Sequence, residues 1–104
     1  MNAFAASIDL LFEDPNMAVD ALYRAGGEGS GVPVRAIRKA PDELANFGDS
    51  RFVTDTLTLD LRVSEVPSLS KGDTIEIASE VFEVRSEPVR DRERLVWSAE
   101  GRPL

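Results

Sequence analysis

From Leu57 to Ser64 the chain alternates without a break, with Leu57, Leu59, Leu61 and Val63 on one face and Thr58, Asp60, Arg62 and Ser64 on the other. A period of two belongs to a strand with one buried and one wet face, and a helix cannot present it. The same period returns after the turn "EVPSLSKGD". Ile75 and Ile77 on one arm, with Phe82 and Val84 on the other, predict an antiparallel hairpin. Its outward positions are Lys71, Asp73, Glu76, Glu83 and Arg85. A last strand is expected through "RLVWSAE", with Leu95, Trp97 and Ala99 on one face. An earlier one is expected over residues 32 to 38, "VPVRAIR", where Pro33 marks an edge position or a strand start.

The remaining segments read differently. In "AFAASIDLLF", residues 3 to 12, Phe4, Ile8, Leu11 and Phe12 share one helical face. Asp14 before Pro15 reads as an N-cap followed by proline at the first helical position, which predicts a second short helix through "NMAVDALYR". "AGGEGSG", residues 25 to 31, has four glycines and lacks the Gly-Lys-Ser/Thr ending of a phosphate-binding loop, so a flexible connection is expected there. "KAPDELANFGDS", residues 39 to 50, is a long polar loop with at most a helical turn. Its Phe47 either packs back on the core or stands exposed for a partner.

These elements predict a mainly β fold, a small antiparallel β-barrel or sandwich of about five strands with a short N-terminal helical segment. The 104 residues suffice for one domain, read as a helical appendage over 1–24 and a barrel-like part over 25–104. Phe82 and Trp97 are the expected core anchors.

Composition removes whole classes of function. With no histidine and no cysteine, Ser-His-Asp and Cys-His triads, disulfides and sulfur-ligated metals are impossible within the chain. The acidic residues match no calcium loop, and solvated surface acid is the reading for them. No catalytic, cofactor-binding or metal-binding residue is expected. A net charge of −7 disfavours sequence-specific nucleic acid binding. No apolar run is long enough to cross a bilayer, and Asp9 interrupts the one stretch resembling a signal peptide, so a soluble chain is expected. "RDRER", residues 90 to 94, reads either as a solvated strand tip or as a phosphate or protein contact.

The order of the C-terminal features adds a resemblance. A "PDELANFG" loop, a strand running into "RVSEVPSLSKGDTIEI", the arm "SEVFEVRS" and a closing "RDRERLVW" together resemble the head-tail joining proteins of lambda-like tailed phages and gene transfer agents. The match covers roughly residues 32 to 100, and Lys71-Gly72-Asp73-Thr74-Ile75 through Phe82-Glu83-Val84 is its best-defined part. The resemblance implies a structural protein of the virion neck, made in the host bacterial cytoplasm, without a cofactor or a reaction. It would assemble as a ring, commonly of six, between the portal or its adaptor (head completion) protein and the tail terminator protein, closing the filled head. An acidic ring would let packaged DNA slide without sticking. Partner-facing residues are then expected in the two charged loops: Asp42, Glu43, Asn46 and Phe47 in one, Arg90, Arg92 and Arg94 in the other. The competing reading is a small β-barrel interaction or regulatory module of a non-viral complex.

Overall fold

A computed structural model describes residues 3–39 and 57–104. Helix α1 (Ala3–Glu13) leads into strand β1 (Val19–Arg24), a single 3₁₀ turn (Ala25–Gly27) and strand β2 (Val32–Lys39). Strands β3 (Leu57–Arg62), β4 (Thr74–Ile77), β5 (Glu80–Val84), β6 (Val89–Arg90) and β7 (Val96–Pro103) follow. Every pairing is antiparallel, in the order β3-β2-β1-β4-β5-β7-β6. The sheet then closes on itself. β3 pairs with β7 from Leu57 opposite Gly101 to Arg62 opposite Val96, which makes a six-stranded barrel with β6 as an extra strand.

The alternation that the sequence shows in β3 to β5 and β7 is what fills the barrel. Leu59, Leu61, Ile75, Ile77, Phe82, Val84, Trp97 and Ala99 are all buried, and Val66 and Leu69 cover them from the β3–β4 loop. Small residues stand where the walls come closest, with Ala21, Ala36 and Ala99 in the core cluster. At Gly101, opposite both Leu57 of β3 and Val84 of β5, a Cβ would lie 3.1 Å from Leu59 Cδ1 and 3.3 Å from Phe82 Cβ. Any side chain there would push the two largest neighbours apart. Pro33 lies near the start of β2, before β3 begins to pair at Ala36, so its missing N–H leaves no gap in that ladder.

Three expectations need correction. The described residues form seven strands, six in the barrel and one extra, where about five were expected. The second helix, and with it the helical reading of residues up to 24, does not form. Asp14 does cap a turn: its Oδ1 accepts the Asn16 N–H at 2.8 Å and its carbonyl accepts the N–H groups of Met17 and Ala18 at 3.0 and 2.9 Å. The turn stops there because Val19–Arg24 gains neighbours on both sides, β2 and β4, whereas so short an isolated helix is marginal in water. Finally, residues 25–31 are pinned rather than loose. Arg24 Nε donates to the Gly29 carbonyl at 3.0 Å, and the Gly26 N–H donates to Asp73 at 2.8 Å.

α1 lies outside the barrel and is held by one ring and two guanidiniums. Phe12 is buried, with Arg62 stacked 5.4 Å from its ring centroid. Arg62 also bonds Asp9 of the helix at 3.0 Å and Glu65 at 3.1 Å. Arg35 donates to the Phe12 carbonyl at 2.8 Å, to the Ala18 carbonyl at 3.1 Å and to Asp20 at 2.8 Å, stitching the helix end to β1 and β2. Of the expected apolar face, Phe12 is buried and Ile8 partly so, while Phe4 and Leu11 are exposed.

Phe12→Ala should therefore destabilise the protein by about 3–5 kcal/mol, the usual cost of emptying a buried phenylalanine site. Chemical denaturation followed by Trp97 fluorescence measures it. A loss below about 0.5 kcal/mol, the size expected of a surface substitution, would show that this ring does not anchor the helix.

Candidate partner surfaces

Two constellations of polar side chains rise above the barrel wall. The first is centred on Asp73, which the sequence places on the outside of the hairpin and the structure buries. Asp73 follows Gly72, whose φ of 96° belongs to a turn that favours glycine. Its Oδ2 accepts the Ser70 N–H at 2.8 Å and its Oδ1 the Gly26 N–H at 2.8 Å. The Tyr23 hydroxyl donates to Oδ2 at 2.7 Å, with the Ser68 carbonyl as a second acceptor at 3.1 Å. One carboxylate thus joins β1, the glycine-rich turn and the β3–β4 loop. Nearby on the outer wall, Arg24 pairs with Glu76 at 2.8 Å. All these bonds are satisfied internally, so the constellation sets the shape of this end of the barrel rather than offering a reactive group.

The second constellation is the turn between β6 and β7. Asp91 builds it: its Oδ1 accepts the N–H groups of Leu95 and Val96 at 2.7 and 3.2 Å, and its carbonyl accepts the Arg94 N–H at 3.0 Å. Arg94 takes the left-handed conformation, φ 59°, that closes the turn. Because Arg90 lies opposite Trp97 in the β6–β7 ladder, its guanidinium stacks on the indole, 5.2 Å from the ring centroid. The indole N–H is satisfied separately by the Val66 carbonyl at 2.7 Å. An open cleft of about 650 Å³ results, floored by Leu69 and Trp97 and rimmed by Arg90, Arg92 and Arg94.

The structure thus brings Arg90, Arg92 and Arg94 together on one rim. Asp42, Glu43, Asn46 and Phe47 lie outside the described residues. Lys71 and Arg85 are exposed, whereas Glu76 is tied to Arg24. Sequence reasoning missed Tyr23, which carried no signal because its partner Asp73 is 50 positions away. Among the described residues no group of three or more acidic side chains is placed to hold a metal ion, and no helix is long and apolar enough to cross a membrane.

Comparison with protein families matches the chain to the family model described as phage head-tail attachment protein, over residues 1–101. The chain belongs to the phage head-tail attachment family. The match runs through α1, all seven strands and both constellations. No curated protein matches the chain. Membership makes this chain a structural component of the phage particle that engages head and tail proteins. For such a protein the internally satisfied Asp73 constellation is scaffold, and the open rim of the β6–β7 turn is surface.

The scaffold role of Asp73 has a pH signature. Burial pushes the Tyr23 phenol up, and the hydrogen bond and negative charge of Asp73 add to it, from the ordinary 10.0 to about 12. The folded value lies above the unfolded one, so the stabilisation is fully present below pH 10 and is lost as pH rises from about 10 through about 12. Tyr23 is the only tyrosine, so absorbance near 295 nm reports it alone. The midpoint is expected near pH 12 in the native protein and lower in Asp73→Asn, where burial still holds it above the ordinary 10.0. Equal midpoints in the two proteins would remove Asp73 as a cause.

Proposed function

We propose that this protein is the neck subunit that binds the portal or adaptor (head completion) protein on one side and the tail terminator protein on the other, closing the head once DNA is packaged. Membership of the head-tail attachment family across residues 1–101 carries the reading. The fold suits it. A barrel closed by β3 and β7 is a rigid body, and its charged turns are free to meet neighbours.

On the particle the subunits form a ring of six. The described residues extend 25 Å and 31 Å along their two shorter axes. In a six-membered ring the distance from axis to subunit centre equals the spacing between neighbours, so subunits in side-by-side contact leave a central opening about one subunit across. A net charge of −7 disfavours adhesion of DNA to the lining of such an opening. The role proposed is positional: the subunit holds its neighbours together and the reading calls for no reaction. The neck of a phage or transfer particle is where the protein resides, and Asp42, Glu43, Asn46 and Phe47, together with the rim arginines, are the proposed contact residues.

Deleting the gene and imaging particles by electron microscopy tests the reading. Filled or leaking heads lying apart from free tails are expected, with joined particles restored when the gene is supplied again. Joined, infectious particles in the deletion strain would end it.

A further inference from the structure

Among the described residues four cations of this acidic protein are held in ion pairs; Arg38, Lys71, Arg85 and Arg102 are not, and the β6–β7 turn is where three more such arginines gather side by side. Arg24, Arg35, Lys39 and Arg62 each have a carboxylate partner within 3.1 Å on the barrel wall. Arg92 and Arg94 have none among the described residues, and Arg90 meets only the Trp97 ring. The reason lies in the turn itself. Asp91, the acid between them, spends its carboxylate on the Leu95 and Val96 amides, while Glu87 and Glu93 form no ion pair with the arginines. Three guanidiniums, each able to bind a carboxylate with two parallel hydrogen bonds, are thus gathered on one rim with no direct ion pair among the described residues.

The cleft beneath them is partly apolar. Leu69, Pro88, Val89 and Trp97 line it, with Val89 exposed at 65%. β6 alongside is two residues long and pairs with β7 alone among the described residues, so its other edge offers main-chain groups. A cleft with an apolar floor, a cationic rim and a free strand edge matches an extended peptide that carries acids beside an apolar side chain.

We propose that the β6–β7 cleft is the docking site for an acidic, extended segment of a partner protein, its carboxylates pairing with Arg90, Arg92 and Arg94 and an apolar side chain resting on Val89 and Trp97. That the partner belongs to the neck rests on the head-tail reading; the chemistry of the site does not. A duplex fits less well. It has no apolar side chain to lay against Val89 and no main-chain groups to pair with the free edge of β6, and the chain carries a net charge of −7.

Trp97 is the only tryptophan, so its emission reports the occupancy of its own cleft. The purified chain is titrated with a synthetic peptide of three Glu-Leu-Asp repeats, its neutral Gln-Leu-Asn counterpart and a duplex of about 20 base pairs. A saturable change is expected with the acidic peptide, weakened about tenfold or more in the double variant Arg92→Gln/Arg94→Asn. It should persist in Arg92→Lys/Arg94→Lys. It should also persist in Ala78→Asp/Ser79→Asp, which lowers the net charge by the same two units in the β4–β5 turn. There Ala78 and Ser79 already adopt positive φ, a conformation aspartate tolerates.

No response to the acidic peptide, equal affinity for the neutral one, or equal weakening in the β4–β5 control overturns the proposal. A duplex that binds more tightly through the same arginines replaces the peptide with DNA and overturns it too. The Arg92/Arg94 variant is then supplied to the deletion strain. Joined particles should fall about tenfold or more, and undiminished joining would remove the cleft from the neck. If the deletion strain itself forms joined particles, the head-tail reading fails while the peptide titration still decides the cleft.

Discussion

The pairing of β3 with β7 is the constraint on which the rest depends. The six strands of the barrel could in principle form an open sheet, with β3 at one margin and β7 at the other. Such a sheet would expose two rows of unpaired main-chain groups and leave one apolar face uncovered. Running β3 against β7 over six residues removes both edges and turns that face into an enclosed core. Closure is also what makes Gly101 necessary. It stands where β3, β7 and β5 come together, and the space a side chain would occupy already belongs to Leu59 and Phe82.

Around this closed body the attachments are of a different physical kind. α1 is bound through the Phe12 ring and through Arg35 and Arg62, whose hydrogen bonds reach helix carbonyls and carboxylates. Charge-assisted bonds of this kind depend on the pairing of every partner, because an arginine left alone beside a buried ring would lose more than the bond itself. The barrel's own coherence is apolar and continuous. On its surface the ion pairs of Arg24, Arg35, Lys39 and Arg62 lie along the barrel wall, while the three arginines gathered on the β6–β7 rim form none among the described residues.

How much of this could be read in the sequence follows from range. β3, β4, β5 and β7 were legible because a half-buried strand writes its period directly into the residues, as Leu57 to Val63 does. β1 was not, because "VDALYR" suits a helix or a strand equally and only the neighbours β2 and β4 decide it. The Asp14-Pro15 signal was real but local, and it produced a single turn. The helix was legible in extent and less so in burial, since its last turn alone brings a side chain, Phe12, into full burial. At the candidate site the arginines are spelled out in "RDRER", yet the cleft that gives them a setting exists only because Arg90 falls opposite Trp97. The Tyr23–Asp73 bond had no sequence signature at all, while the family was legible in the order of several strands and turns.

The Asp73 constellation bears on how the protein comes together. Its bonds span separations of 47 and 50 residues, so no local segment can form them in isolation. The long loops that they close must first be brought together by the strands, at an entropic cost that rises with separation. This end of the barrel can therefore set only once the strands around it have paired. It is also the part whose amides, Gly26 and Ser70 among them, open together when the native structure loosens, one carboxylate making a small cooperative unit of three distant pieces of chain.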